Sequence, residues 1–282
     1  MPFVTYQLTS KLQNTNFEGT LTPMRYSKRH STILRILQEE GTCSIADLAQ
    51  RMNVSLETIR RDVKPLTDAG EMLKVHGAVT LPFQVGEAPF ERRMRENADA
   101  KRAIAALAAG HIQDGDSVML DTGTTTSYLA RELRKRRNLT VVTNSSDIAR
   151  ILATVNGNTV YMAGGELRGD SGAAFGHPAI DFVSRFQVRH AIISIGAIEV
   201  DAGPMDYKLE EAEFGRMVLS RGSNRMIVSD RTKFGRQGLV KVCEFSDFDV
   251  LVTDAAPSGR LADALDTAGV KTETAPMVQA VA

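Results

Sequence analysis

Arg60, Arg61 and Lys64 set three cations in the segment VSLETIRRDVK, and Glu57 precedes them. At the 100° step of an α-helix these four residues gather opposite Ile59, Val63 and Leu66, so one face is charged and the other apolar. An arginine fork bonds guanine O6 and N7 together, and lysine meets a phosphate without fixed geometry. Ser55 and Thr58 add hydroxyls for phosphate or base contacts. The chemistry on offer is the reading of a DNA major groove. A bare Arg–Arg pair is more often solvated surface, so the reading depends on the elements around it.

A second polar set follows apolar runs further along the chain. Asp121, Gly123, Thr124, Thr125 and Thr126 lead directly into SYLARELRKR. A helix start with unpaired N–H groups, a glycine for close approach and several hydroxyls makes a phosphate cradle. Thr143, Asn144 and Ser145 come next, then Gly164, Gly165 and Glu166, then Gly196, then Lys233, each after another apolar run. Singly such residues are turns and helix caps. Together they point to one edge of a sheet, because ligands of open parallel sheets bind beyond the carboxyl ends of the strands.

The elements around the cations read as a winged helix-turn-helix. Ile33, Leu34, Ile36 and Leu37 form one apolar stripe closed by Gly41. Ser44 caps a second helix carrying Ile45, Leu48, Ala49 and Met52 on one face, Asn53 and Val54 turn the chain, and Ser55 caps the third helix. EMLKVHGAVTLP alternates around a glycine as a short hairpin, with Lys74 and His76 near the DNA backbone. Pro65 removes the bond to the Arg61 carbonyl and predicts a kink beyond the reading face.

LPFQVGEAPF reads as a linker, and ERRMRENADAKRAIAALAAGHI as helical. SVMLD, LTVVT, TVYMAG, HAIISIG, RMIVSD and VLVTD then alternate with amphipathic helices, the pattern of an α/β parallel sheet. The expected organisation is a tail over 1–24, a DNA-binding module over 25–81, a linker over 82–97 and a ligand-sensing domain over 98–282. Met24 is a natural opening for the folded part, which makes residues 1–23 dispensable in this reading.

At 282 residues the chain has room for one small and one medium domain. With 34 basic and 34 acidic residues the net charge is zero, so any DNA contact must come from a local basic face. Cys43 and Cys243 offer neither a disulfide framework nor zinc-ligand spacing, which suits a reducing cytoplasm, and no metal or cofactor is called for. The opening MPFVTYQLTSKLQNTNFEGTLTP is neither a secretory signal nor a membrane span. The run RELRKRR at 131–137 sits at a helix carboxyl end, where cations suit the dipole and stay solvated, and it is not assigned to DNA.

The pattern S-x-x-T-I-R-R-D followed by H-G resembles the DeoR family of bacterial repressors, and residues 87–254 resemble that family's sensor domain, itself similar in fold to sugar-phosphate isomerases. AGGELR at 163–168, DFVSRF at 181–186 and SDRTKFGR at 229–236 look most like the branch concerned with glycerol 3-phosphate. The resemblance implies a repressor of carbohydrate or polyol catabolism genes. Such a protein binds a double-stranded operator as a homo-oligomer, dimer or tetramer, and is released by a phosphorylated sugar or polyol, with glycerol 3-phosphate the first candidate. It further implies that Gly123, Thr124, Thr125 and Thr126 hold the phosphate, that Asp121, Asn144 and Glu166 serve hydroxyls, and that Lys233 adds positive charge. Where the family usually has a second glycine after His76 and Gly77, this chain has Ala78, which implies a wing that is either stiffer or differently turned.

Three rivals carry different expectations. An isomerase needs a positioned carboxylate, yet where those enzymes carry Asp-Gly-Ala-Asp-Glu this chain reads Ile195, Gly196, Ala197, Ile198 and Glu199, which favours binding over turnover. The D-x-G-T-T motif also opens the phosphate hairpin of sugar kinases, but a helix follows it here, and roughly 200 remaining residues are few for two lobes. The third is a pure oligomerisation scaffold, which would gain no stability from any phosphorylated ligand.

Overall fold

The computed structural model describes residues 28–40, 42–69, 72–75, 77–80 and 87–276; the tail expected over 1–24, His76 and linker residues 82–86 lie outside them. The first module packs α1 (Lys28–Glu40), α2 (Ile45–Arg51) and α3 (Leu56–Asp68) with a small antiparallel sheet in the order β1 (Thr42–Ser44), β3 (Ala78–Thr80), β2 (Leu73–Val75). Its core is Ile33, Leu37, Leu48, Ile59, Val63, Leu66, Met72 and Val79, all fully buried. The expected caps are in place: Ser44 Oγ accepts from Asp47 N at 2.9 Å and Ser55 Oγ from Thr58 N at 3.1 Å. Asn53 makes the turn with φ +50° and Gly77 turns the hairpin with φ +81°, both left-handed. Helix α3 continues past Pro65 to Asp68; Pro65 is exposed, and Leu66 beside it stays in the core.

The second module begins with α4 (Phe90–Arg95) and α5 (Ala98–Ala109). The expected single helix is broken here because Asn97 adopts φ +52°, a conformation asparagine tolerates better than most residues, and its amide faces Asp230 Oδ1 and Thr232 Oγ1 at 3.4 Å each. The chain then runs β4 (Ser117–Leu120), α6 (Thr124–Leu133), β5 (Thr140–Thr143), α7 (Ser146–Leu152), β6 (Thr159–Met162), α8 (His177–Val183) and β7 (Val188–Ser194). After it come β8 (Ala197–Glu199), β9 (Gly203–Asp206), α9 (Leu209–Leu219), β10 (Gly222–Val228), β11 (Val240–Lys241), β12 (Val250–Thr253), α10 (Arg260–Thr267) and β13 (Lys271–Thr274).

Seven of these strands form one parallel sheet in the order β13-β12-β10-β7-β4-β5-β6. Successive residues of a strand face opposite sides, so Met119 belongs to one core and its neighbours Val118 and Leu120 to the other. A parallel sheet covered on both faces by helices needs such continuous apolar strands. Two features were not expected from the pattern: β13 at the sheet edge, and a separate antiparallel sheet of β11, β9 and β8 lying beyond the end of β7. No described helix is long and apolar enough to cross a membrane.

Candidate DNA interface and ligand cavity

On α3 the charged face is open to solvent. Glu57, Arg60, Arg61 and Lys64 are exposed, Ser55 is exposed and Thr58 half-buried. Arg60 lies 3.9 Å from Glu57 and Lys64 lies 2.8 Å from Asp68, while Arg61 makes no ion pair among the described residues. Exposed pairs of this kind are screened by solvent and contribute little, so a phosphate can replace them at small cost. Lys74 and Gly77 of the hairpin share a groove with Arg60, Arg61 and Lys64, which puts helix and wing on one surface. The hydroxyls of Ser55 and Thr58 are 2.8 Å apart and engage each other. Asp62, unremarked in the sequence, is buried and takes Arg29 of α1 through both carboxylate oxygens, at 2.8 and 3.2 Å, fixing the pitch of α3.

The second cavity lies beyond the carboxyl ends of β4 and β7. Asp121, Thr122, Ser194 and Ile195 line it from the strands, Ser171 and Phe175 from the loop before α8, Asp206, Glu211 and Phe214 from β9 and α9, and Glu87, Phe90 and Arg93 from the segment leading into the domain. Asp121 Oδ2 accepts from Ser194 N at 3.0 Å and Asp206 Oδ1 from Gly196 N at 2.7 Å. Burial pushes the Asp121 carboxyl well above the ordinary range, against the bonds from Ser194. Burial does the same to Asp206, helped by the nearby carboxyls of Glu87, Glu211 and Asp121. Burial thus favours the protonated form of both carboxyls. Asp121 Oδ1, Thr122 Oγ1 and Ser171 Oγ, all on this cavity, are buried with no hydrogen-bond partner among the described residues. Buried polar atoms are nearly always paired, so these three leave hydrogen bonds on a single cavity for water or a polar ligand to complete.

The helix start read as a phosphate cradle follows directly on Asp121 and Thr122 of this cavity. Gly123 precedes α6 with no side-chain cap, and helix geometry leaves the N–H groups of Thr124, Thr125 and Thr126 without intrahelical acceptors. Thr124, Thr125 and Thr126 are buried; Thr126 Oγ1 is already spent on the carbonyls of Asp121 and Gly123, at 3.1 Å each. A Cβ on Gly123 would fall 1.8 Å from Ser194 Oγ, and one on Gly196 would fall 2.9 Å from the Tyr207 ring, so both glycines answer close approach. Thr143 Oγ1 accepts from Ser145 N and Ser145 Oγ caps α7, which makes these two structural. Asn144 donates to Ala174 O at 2.8 Å and ties the loop carrying Ser171, its own Oδ1 being unpartnered.

Gly164, Gly165 and Glu166 are exposed and do not line the cavity; from their loop Arg168 reaches inward, 4.2 Å above the Phe175 ring, and pairs with Glu211. Lys233 stands behind the wall, 2.5 Å from Glu87. Glu87, Arg93, Ser171, Asp206 and Glu211 escaped the sequence reading. Ile195 and Ile198 bring no carboxyl, as the sequence shows, but Asp206 and Glu211 bring two to the cavity from β9 and α9.

Two family models match the chain, one described as DeoR-like helix-turn-helix domain over residues 29–85 and one as DeoR C terminal sensor domain over 96–255. The glycerol-3-phosphate regulon repressor of Escherichia coli (strain K12) is 31% identical across 83% of this chain and 93% of its own length. The transcriptional repressor AccR of Agrobacterium fabrum is 33% identical across 80% of this chain and 89% of its own. Among solved structures, ribose 5-phosphate isomerase A from Methanocaldococcus jannaschii is 15% identical, with a TM-score of 0.37 over 49% of this chain and 55% of that one. By both its DNA-binding and its sensor segments, the chain belongs to the DeoR family of transcriptional repressors.

Proposed function

We propose that the protein represses genes of carbohydrate or polyol catabolism, and that a phosphorylated sugar or polyol entering the cavity beyond β4 and β7 releases it from its operator. The carrying observation is the convergence of Asp121 Oδ1, Thr122 Oγ1 and Ser171 Oγ, buried and unpaired, beside the uncapped amino end of α6. Hydroxyls of a polyol satisfy these atoms, and a phosphate suits free N–H groups at a helix start with Lys233 near. Glycerol 3-phosphate is the first candidate, because a relative of this chain is named for its regulon.

Ligand binding without turnover fits the same geometry. Proton abstraction needs a carboxylate that is ionised at working pH. Burial raises Asp121 and Asp206 well above the ordinary carboxylate range, while Glu211 is engaged by Arg168 and by Lys208 at 3.5 Å and Glu87 by Arg93 and Lys233. Operator recognition belongs to Arg60, Arg61, Lys64 and Lys74, and a pair of such modules in a homo-oligomer supplies the affinity that one lacks.

The test is a thermal-shift and operator-release screen of the full chain against sugar and polyol phosphates and their unphosphorylated parents. A ligand at a hundred times its dissociation constant raises stability by about 2.7 kcal/mol. Release by a phosphorylated compound and not by its parent is the expected result, and Thr124→Glu should bind operator yet lose the response. Absence of any shift across the panel, or a normal response in Thr124→Glu, refutes the assignment.

A further inference from the structure

Glu87 lies just ahead of α4, yet its carboxylate is bound inside the sensor domain. One oxygen meets Lys233 Nζ at 2.5 Å across 146 residues of sequence, and the other meets the Arg93 guanidinium. Lys101, 4% exposed, donates to the Arg93 carbonyl beside them. Three cations thus surround one carboxylate, none with more than a fifth of its side chain exposed, and the next acid, Asp230, already accepts from Thr232 N at 3.0 Å. Burial pushes Lys101 down to about 8, and Lys233 and Arg93 push the same way against the pull of Asp230 and Glu96. Burial raises Glu87, but Arg93, Lys233 and Lys101 together hold it below its ordinary value, so it is ionised.

This cluster opens onto the ligand cavity, because Glu87, Phe90 and Arg93 are part of its wall. Helix α4 is anchored by Tyr128 Oη, which donates to Met94 O at 3.0 Å, to α6, the helix whose start was read as the phosphate cradle. The same short segment bears on the DNA-binding module: Arg92 donates to the carbonyl of Thr42 on β1, and Pro89, Glu91 and Arg95 share a cleft with Asp47 and Arg51 of α2.

We propose that Arg93, Lys101 and Lys233 form the subsite for the effector's anionic group, that Glu87 fills it as a tethered substitute in the unliganded protein, and that an incoming phosphate expels Glu87 and loosens residues 87–95 against the DNA-binding module. The proposal rests on the effector cavity assigned above. A dianion meets the three cations with more negative charge than one carboxylate does. Expulsion makes ligand and linker exclusive occupants of one subsite, which is the differential affinity that coupling requires.

The test is calorimetric titration of the full chain and Glu87→Gln with inorganic phosphate, alongside operator release by glycerol 3-phosphate and other phosphorylated sugars and polyols. Glutamine keeps the size of the side chain and removes the competing charge, so phosphate should bind about tenfold tighter, within the usual range of coupling between exclusive sites. Wild-type protein gives an independent reading: saturating phosphate should speed amide hydrogen exchange of residues 88–95 by about tenfold. Equal phosphate affinity in the two proteins, no phosphate binding in either, or exchange over 88–95 that is unchanged or slowed overturns the proposal. If operator is still released by a phosphorylated polyol in those cases, the effector cavity survives without the Glu87 subsite. Tighter phosphate binding in Glu87→Gln without release by any phosphorylated compound supports the subsite and removes the effector reading.

Discussion

Gly123→Ala is the sharpest perturbation of the cradle that leaves every charge in place. Gly123 has φ −170°, which any residue adopts, so the cost is one of contact and not of backbone conformation. The new methyl carbon would lie 1.8 Å from Ser194 Oγ, 3.0 Å from Ser194 Cβ and 3.1 Å from Thr126 Oγ1. Rotating Ser194 relieves the first contact and leaves the other two, and Thr126 is pinned by its bonds to the carbonyls of Asp121 and Gly123. Overpacking of this kind costs about 1–3 kcal/mol. For a domain of this size a kilocalorie lowers the melting temperature by about 2–4 °C, so a value near the middle predicts a fall of roughly 4–8 °C in the transition of the sensor domain. Ser194→Gly removes both Ser194 contacts, so the double variant should recover about 1 kcal/mol relative to the sum of the single ones. The buried core of the DNA-binding module shares no residue with the clusters on the sheet, so operator binding should persist while the response to effector is lost. An unchanged melting temperature in Gly123→Ala, or no recovery in the double variant, refutes the close packing of Gly123 on Ser194.

Two further perturbations address the reading face and the buried acids. Arg60→Ala and Arg61→Ala should each weaken operator binding, by about 1–3 kcal/mol with relaxed specificity where the side chain reads a base, or with a salt slope lower by about one where it touches phosphate; unchanged binding in both, measured by fluorescence anisotropy over a salt series, refutes the assigned face. Asp206→Asn keeps an acceptor for Gly196 N and removes the ionisable group. Because the folded Asp206 holds its proton above the unfolded value, wild type is favoured in acid and loses that contribution as pH rises through the folded value. Urea unfolding should therefore show the variant gaining on wild type from pH 4.5 to 7.5, and a pH-independent difference removes the case for a neutral buried carboxyl.

What sequence discloses here is what neighbours in sequence decide. Ser44 and Ser55 act as caps through bonds to residues three ahead, and Ile59, Val63 and Leu66 fall on one face by helix period alone, so the reading helix was legible with its exposed cations. The parallel sheet was legible because strands covered on both faces must be apolar throughout, and the Asp121–Thr126 cradle followed because it joins such a strand to a helix. Glu166 misled because polarity after a strand says nothing about direction: Gly165 takes φ +136°, Glu166 is exposed, and Arg168 is the residue that meets Phe175 and Glu211. Thr143 and Ser145 looked like ligand contacts since a hydroxyl spent on a turn and one offered to a ligand have the same sequence signature. Asp206 sits on a four-residue strand with no periodicity to announce it, and its burial arises from a small antiparallel sheet that only tertiary packing assembles. Glu87 and Lys233 are 146 residues apart, and nothing local to either names the other. The proposed chemistry therefore divides by range: the face assigned to DNA lies within one helix, while the Glu87–Lys233 pairing on which the proposed ligand–linker exchange rests exists only after the sheet has formed.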